Sequence, residues 1–459
     1  MTSPIAKITD ELEAKAAAFV KEHRLPGAAV GVVHGDDLVW SAGIGFTDVA
    51  ARRAPDTSTL YRIASITKTF TGTAIMQLRD EGRLHLDDPI VTYVPELRDA
   101  ASPFGPIETV TIRRMLSHES GLTGEPPGTD WSKLSYEGLI APNLERVSEI
   151  GTRIPPNTQQ KYSNLGYQLL GEVVARVTGA PYVDHIRSAI LGPLGMTNTW
   201  FEPLPDEALP RRATGYSARW LSDELGLADL SITVWAEGGL WSCIDDLSRW
   251  ITFQLREDGG PREGSQVLAG STLKEMHAAR YLGNEEWTEA FGITWYAIRK
   301  DGVTWVQHSG GLHGFDTNVC FEPKERVGAI ALVNGLGDAS DLSMELGAMA
   351  RTAVLNAAPA IEAPTAAPDA YRSLLGLYLS VDVGEVYRLE WRDARLGFVD
   401  PTQPTWRPTL SPTDEPDVFI VDPGVREAGE RAVFSRTPDG RVASVFMAAD
   451  TWARLDPVT

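Results

Sequence analysis

A stretch rich in proline and alanine, NAAPAIEAPTAAPDA from Asn356 to Ala370, divides this chain into two differently patterned texts. Each of its three prolines removes a backbone donor and fixes φ, so neither a long helix nor an inner strand is expected to run through it. The chain therefore reads as a unit at 1–355, a linker at 356–370 and a second unit at 371–459. With 459 residues, 43% of them hydrophobic, there is length for a large core beside a small one.

Before the linker, helical periodicity at Ile66–Leu78, Leu165–Val177 and Leu247–Leu255 alternates with strand-like runs. From Ala28, AAVGVVHGDDLVWSAGIG sets two apolar runs around a Gly-Asp-Asp turn. VTWVQHSGG and VGAIALVNG read as further strands near the far end of the unit. Strands at both ends with helices between predict an α/β (α+β) domain whose antiparallel sheet closes from N- to C-terminus. After the linker the text is nearly all strand. In VYRLEWR, Tyr387, Leu389 and Trp391 alternate with Arg388, Glu390 and Arg392, the period of one buried face. Asp439-Gly440 lies between two alternating runs, a hairpin signal, and the whole tail suits a small all-β sandwich or barrel.

The formal charge of −20 opposes contact with a phosphate backbone or an anionic membrane, so neither partner is expected. Cys243 and Cys320 stand far apart, without the spacing of a disulfide framework or a zinc cluster. MTSPIAKITDELEAKAAAFV reads as an amphipathic helix rather than a signal peptide, and no run reaches the ~18 apolar residues of a membrane span, which points to the cytoplasm. No cofactor or metal is implied: GIGFTD lacks the third glycine of a dinucleotide fingerprint, and HESGL at His118 is not H-E-x-x-H. No G-x-S-x-G elbow occurs either. Oligomeric state stays open.

The chemistry lies in three short patterns. In YRIASITK, Ser65 and Lys68 share a helix face, one turn apart, where orphan N–H groups and the dipole favour negative charge. Desolvation lowers a lysine's pKa and fits it to take the serine's proton or to stabilise the group that does. A second S-x-x-K, Ser271 to Lys274, reads as a surface capping stretch. Tyr162-Ser163-Asn164 also precedes an amphipathic helix. Beside an ammonium, the Tyr162 phenol would be partly phenolate, serving as base towards Ser65 and acid towards the leaving group. Asn164 would bind a substrate amide carbonyl or hold Lys68. In His308-Ser309-Gly310-Gly311 the glycines would let a substrate backbone lie along a strand, with the Gly311 N–H joining that of Ser65 as an oxyanion hole. His308 would add a donor or a switchable charge.

Taken in order, Ser65-x-x-Lys68, Tyr162-x-Asn164 and His308-x-Gly310 resemble the serine β-lactamase-like superfamily of class C β-lactamases, D-aminopeptidases, D,D-peptidases and related esterases. The resemblance spans roughly residues 5–355 and takes in LDDPIVTYVPEL, TIRRMLSHESGL and EGGLWSCIDDL. It implies an antiparallel sheet flanked by helices, a helical region, and an active site between them. Ser65 would be the acylated nucleophile and Lys68 with Tyr162 the proton-transfer pair, while Asn164 and His308 to Gly311 line the site. The tail is similar to the lipocalin-like barrel attached to several members. His308 stands where β-lactamases and carboxypeptidases carry a lysine, which is more like the D-aminopeptidase and esterase branches.

The implied activity is cofactor-free hydrolysis of a small ester, amide or short peptide through an acyl-enzyme. Acyl transfer to an amine or alcohol, as in penicillin-binding-protein-type cyclases, would use the same serine. A binding protein without catalysis would have lost one of the motif residues. Substrate choice is expected to rest on the loops Gly124–Leu139 and Phe201–Leu227.

Overall fold

The computed structural model describes residues 3–129, 135–136, 144–217, 231–232, 235–256, 267–357, 366–380, 384–392, 394–400 and 408–455. Two compact units emerge, Met1–Ala357 and Ala358–Thr459. Most of the proline-rich linker, 358–365, and parts of the two expected substrate loops, 130–134 with 137–139 and 218–227, lie outside the described residues.

The first unit is built on an eight-stranded antiparallel sheet. Its order is Asp37–Gly45, Gly27–His34, Val327–Val333, Phe315–Glu322, Val303–Leu312, Tyr296–Lys300, Glu289–Phe291 and Tyr281–Leu282. The early strand Gly27–His34 sits beside the late strand Val327–Val333, with Val30 opposite Ala331, so the sheet does join the two ends of the unit. Apart from the terminal His34, both strands are apolar because both their faces are covered. Ala28, Val30 and Val32 pack with the helices Thr9–Glu22 and Ala339–Ala357, through residues such as Leu12, Leu342 and Leu346. Ala29 and Val33 turn into the larger core, with Phe70, Leu169 and Trp250 of the helices Thr67–Asp80, Asn164–Thr178 and Ile244–Gln254. Each such valine or leucine contributes about 1.5–3 kcal/mol on burial.

The expected helices coincide with these elements to within a few residues at each end. Leu165–Val177 becomes Asn164–Thr178 because Ser163 caps it, its Oγ accepting the Gly166 N–H at 2.9 Å. Leu247–Leu255 starts earlier, at Ile244, with Asp245 and Asp246 in the first turn where the dipole favours them.

A second, small sheet places the functional loops. Tyr61–Arg62 pairs with Leu240–Ser242, which pairs with Trp200–Phe201. Arg62 is 2.7 Å from the Glu202 carboxylate and lies over the Trp241 ring, whose indole N–H donates to Glu202 at 2.9 Å. These ties hold the chain just before Ser65 and just after Glu237.

The second unit is a closed antiparallel barrel of eight strands in sequential order, from Gly376–Ser380 to Asp450–Leu455, and so a barrel rather than a sandwich. The last strand closes on the first, with Arg454 opposite Tyr378. Tyr387 and Leu389 point inward as their alternation predicts, and Trp391 is half-buried. The Asp439-Gly440 turn joins Arg431–Arg436 to Val442–Met447. Both cysteines are free and buried, and no helix among the described residues is long and apolar enough to cross a membrane.

Candidate active site

Ser65 sits in a tight turn, Ala64–Ile66, that runs into the helix Thr67–Asp80. Ala64 has φ of 45°, a left-handed conformation that costs a non-glycine residue about 1–3 kcal/mol, and it turns the chain directly before the serine. Lys68 is fully buried, and its Nζ lies 3.0 Å from Ser65 Oγ, 2.8 Å from Asn164 Oδ1 and 2.6 Å from the Glu237 carbonyl oxygen. The amine also lies over the rings of Tyr162 and Tyr167. Burial pulls its pKa down from the ordinary lysine value, against the attraction of Glu237 and Glu125. Two N–H groups of a neutral amine satisfy Asn164 and Glu237, which leaves the lone pair for the Ser65 hydroxyl.

Tyr162 hydrogen-bonds Ser65, so the expected serine, lysine, tyrosine and asparagine come together. The expected charge state of the tyrosine does not hold. Its pKa is raised well above the ordinary value, chiefly by burial and then by the Glu125 and Glu237 carboxyls. Tyr162 is a phenol here, a proton donor rather than a phenolate base. Asn164 uses its amide oxygen for Lys68 and donates its NH2 to Glu125 Oε1 at 2.7 Å, so it holds the lysine.

A cavity of about 940 Å³ opens on Ser65, lined also by Tyr162, Asn164, Glu237, Ser309 and Gly311. Strand alternation divides the third motif. Ser309 and Gly311 line the cavity, whereas His308 and Gly310 do not. His308 is 2% exposed, opposite Val319 of the larger core. Its Nδ1 pairs with the Ser309 carbonyl, and burial together with the nearby Lys68 pushes its pKa down to about 3. The expected switchable charge beside the substrate is therefore a buried, neutral imidazole. Gly310 also departs from expectation. A Cβ there would fall 2.1 Å from the Ile63 carbonyl oxygen, so the backbone approaching this glycine is the chain's own, two residues before Ser65. At Gly311 nothing lies within 4 Å of a Cβ, and substrate backbone has room. Val303–Gln307 pairs with Tyr296–Lys300, but His308–Leu312 pairs only with Phe315–Val319, leaving a free strand edge at the cavity among the described residues.

Three further residues escaped the motif reading. Glu237 is 3% exposed and accepts from Gln168 at 2.5 Å, with its carboxyl pKa raised by burial. Glu125 holds Asn164. His118 stacks on Tyr162 with centroids 4.2 Å apart, accepts the Ser163 N–H on Nδ1 at 3.2 Å and accepts the Lys161 N–H on its carbonyl at 2.7 Å. It has φ of 60°, and burial holds its pKa well below the usual histidine value. The stretch TIRRMLSHESGL contained this histidine, but only the fold reveals which loop it grips.

The family profile described as Beta-lactamase matches residues 12–353. Protein flp of Staphylococcus aureus (strain N315) is 27% identical over 322 residues, covering 69% of this chain and 61% of its own length, so this chain spans about three-fifths of that relative. The octameric penicillin-binding protein homologue from Pyrococcus abyssi superposes with a TM-score of 0.61 at 24% identity, over 97% of this chain and 99% of its own. SurE superposes with a TM-score of 0.62 at 23% identity, over 99% and 100%. At such identities these two likenesses are of fold.

Proposed function

The chain belongs to the β-lactamase family, and we propose that it is a serine acyl hydrolase acting on a small ester, amide or short peptide through an acyl-enzyme. The observation that carries this reading is the buried Lys68 amine 3.0 Å from Ser65 Oγ. In the proposed step Ser65 Oγ attacks the substrate carbonyl while its proton passes to Lys68 Nζ. Tyr162, a phenol bonded to Ser65, donates to the departing oxygen or nitrogen and is reprotonated from the Ser65–Lys68 side. Water then attacks the acyl-enzyme, and the same groups run in reverse. The backbone N–H groups of Ser65 and Gly311 are the candidate donors to the oxyanion. His308 serves from beneath as a neutral packing group and is given no proton-transfer step.

Transfer to an amine or alcohol uses the same acyl-enzyme and differs only in the acceptor. A rate panel of a p-nitrophenyl ester, a D-alanine p-nitroanilide and a chromogenic cephalosporin, run with wild type and Ser65→Ala, tests the hydrolase reading. Turnover that vanishes in the variant supports it. Silence of the folded wild type on all three overturns it in favour of a dedicated transferase.

A further inference from the structure

Around Ser65 the cavity wall carries three carboxyl side chains, Glu125, Glu237 and Asp316, and no lysine or arginine among its described lining residues. The Lys68 amine already has three polar neighbours in Ser65, Asn164 and Glu237 and does not line the opening. One oxygen of the deeply buried Glu237 carboxyl, Oε2, has no hydrogen-bond partner among the described residues and is itself shut off from the open space, so this carboxyl acts on the cavity through its charge alone. Asp316 lies directly across the strand pair from Gly311. Residues opposite each other in an antiparallel pair keep their Cβ positions about 5 Å apart on one face, so this carboxyl flanks the open space at Gly311. Leu312, Phe315 and Leu336 add an apolar wall, with Leu336 60% exposed.

We propose that this cleft selects acyl donors carrying a positive charge on the acyl chain, with Asp316 the main counter-charge and Glu237 the supporting one. The apolar wall takes the alkyl stem, and an anionic acyl group is repelled. This deepens the acyl-hydrolase reading and rests on it.

The test uses the full chain and three p-nitrophenyl esters of one butanoyl chain, ending in trimethylammonium, tert-butyl or sulfonate. The three ends are close in size and differ in charge, and none attacks its own ester. At about pH 8 Asp316 is ionised, since burial and then Asp338 push its carboxyl up to about 7. Wild-type kcat/KM is expected to fall in the order cation, neutral, anion, with on the order of 100-fold between the ends. Asp316→Asn is expected to shrink the cation-to-anion ratio about tenfold. A ratio within one protein cancels the folded fraction, so poor folding of the variant cannot imitate this result. Equal or reversed preference in wild type, or an unchanged ratio in Asp316→Asn, overturns the inference while leaving the hydrolase intact. Absence of Ser65-dependent turnover of all three esters breaks the hydrolase reading and this inference with it.

Discussion

The chain holds the pattern S-x-x-K twice, and the two copies meet opposite fates. Ser271 and Lys274 are both exposed on the helix Gly270–His277, while the residues between them pack inward. Ser65 and Lys68 begin a helix whose residues from Thr67 to Met76 are all buried, and the lysine is closed in by two tyrosine rings and an asparagine. Four letters alone thus carry no chemistry. What separates the copies is desolvation, which lowers a lysine's affinity for its proton only where water has been removed.

That contrast can be broken at several places. Ser65→Ala is expected to lower kcat by at least about 1,000-fold, while Ser271→Ala leaves it unchanged, both measured with the same chromogenic ester. Lys68→Ala should cost on the order of 100- to 10,000-fold in kcat, and Lys274→Ala nothing measurable. The pH profile sharpens the same point. Because the folded pKa of Lys68 is depressed, its neutral, accepting form persists below the ordinary lysine range. Activity should therefore be present above that lowered pKa and fall as pH drops through it, and this acid limb should be missing from the residual rate of Lys68→Ala.

Smaller effects are expected at the site's supports. Gly310→Ala drives a methyl against the Ile63 carbonyl and should destabilise by about 1–3 kcal/mol, read as a fall in the thermal midpoint, together with loss of activity. Gly311→Ala meets open space and should change stability by no more than about 0.5 kcal/mol. His118→Ala removes the ring that stacks on Tyr162 and accepts the Ser163 N–H, and should lower kcat about tenfold with little change in KM. A KM effect larger than the kcat effect would assign His118 to substrate binding instead.

Legibility in the sequence followed the range of the signal. The Val386–Arg392 strand and the Asp439-Gly440 hairpin were readable because alternation and turn chemistry are local. Ser65, Lys68, Tyr162 and Asn164 were readable as a set because each begins or precedes an amphipathic helix. Their charge states were not. Whether Tyr162 is phenol or phenolate depends on burial, reinforced by the Glu125 and Glu237 carboxyls and opposed by the hydrogen bond with Ser65, and that balance exists only once distant segments meet. The face of His308 was hidden for a related reason: a two-residue period says which side chains agree, not which side meets the cavity. Gly310 looked like an opening for substrate because sequence cannot tell one approaching backbone from another.

The pairing of Gly27–His34 with Val327–Val333 has a consequence for the order in which this molecule comes into being. Val30 must wait for Ala331, roughly three hundred residues later, before it gains its neighbour in the sheet. Ser65 leaves the ribosome early, but the strand edge that faces it, His308–Leu312, leaves late. At synthesis rates of about 5–20 residues per second, the nascent chain spends tens of seconds with Ser65 made and the cavity around it unassembled. A chain cut short before residue 300 would keep the serine and lack the wall opposite it, so completion of the cavity is timed by the far end of its own domain.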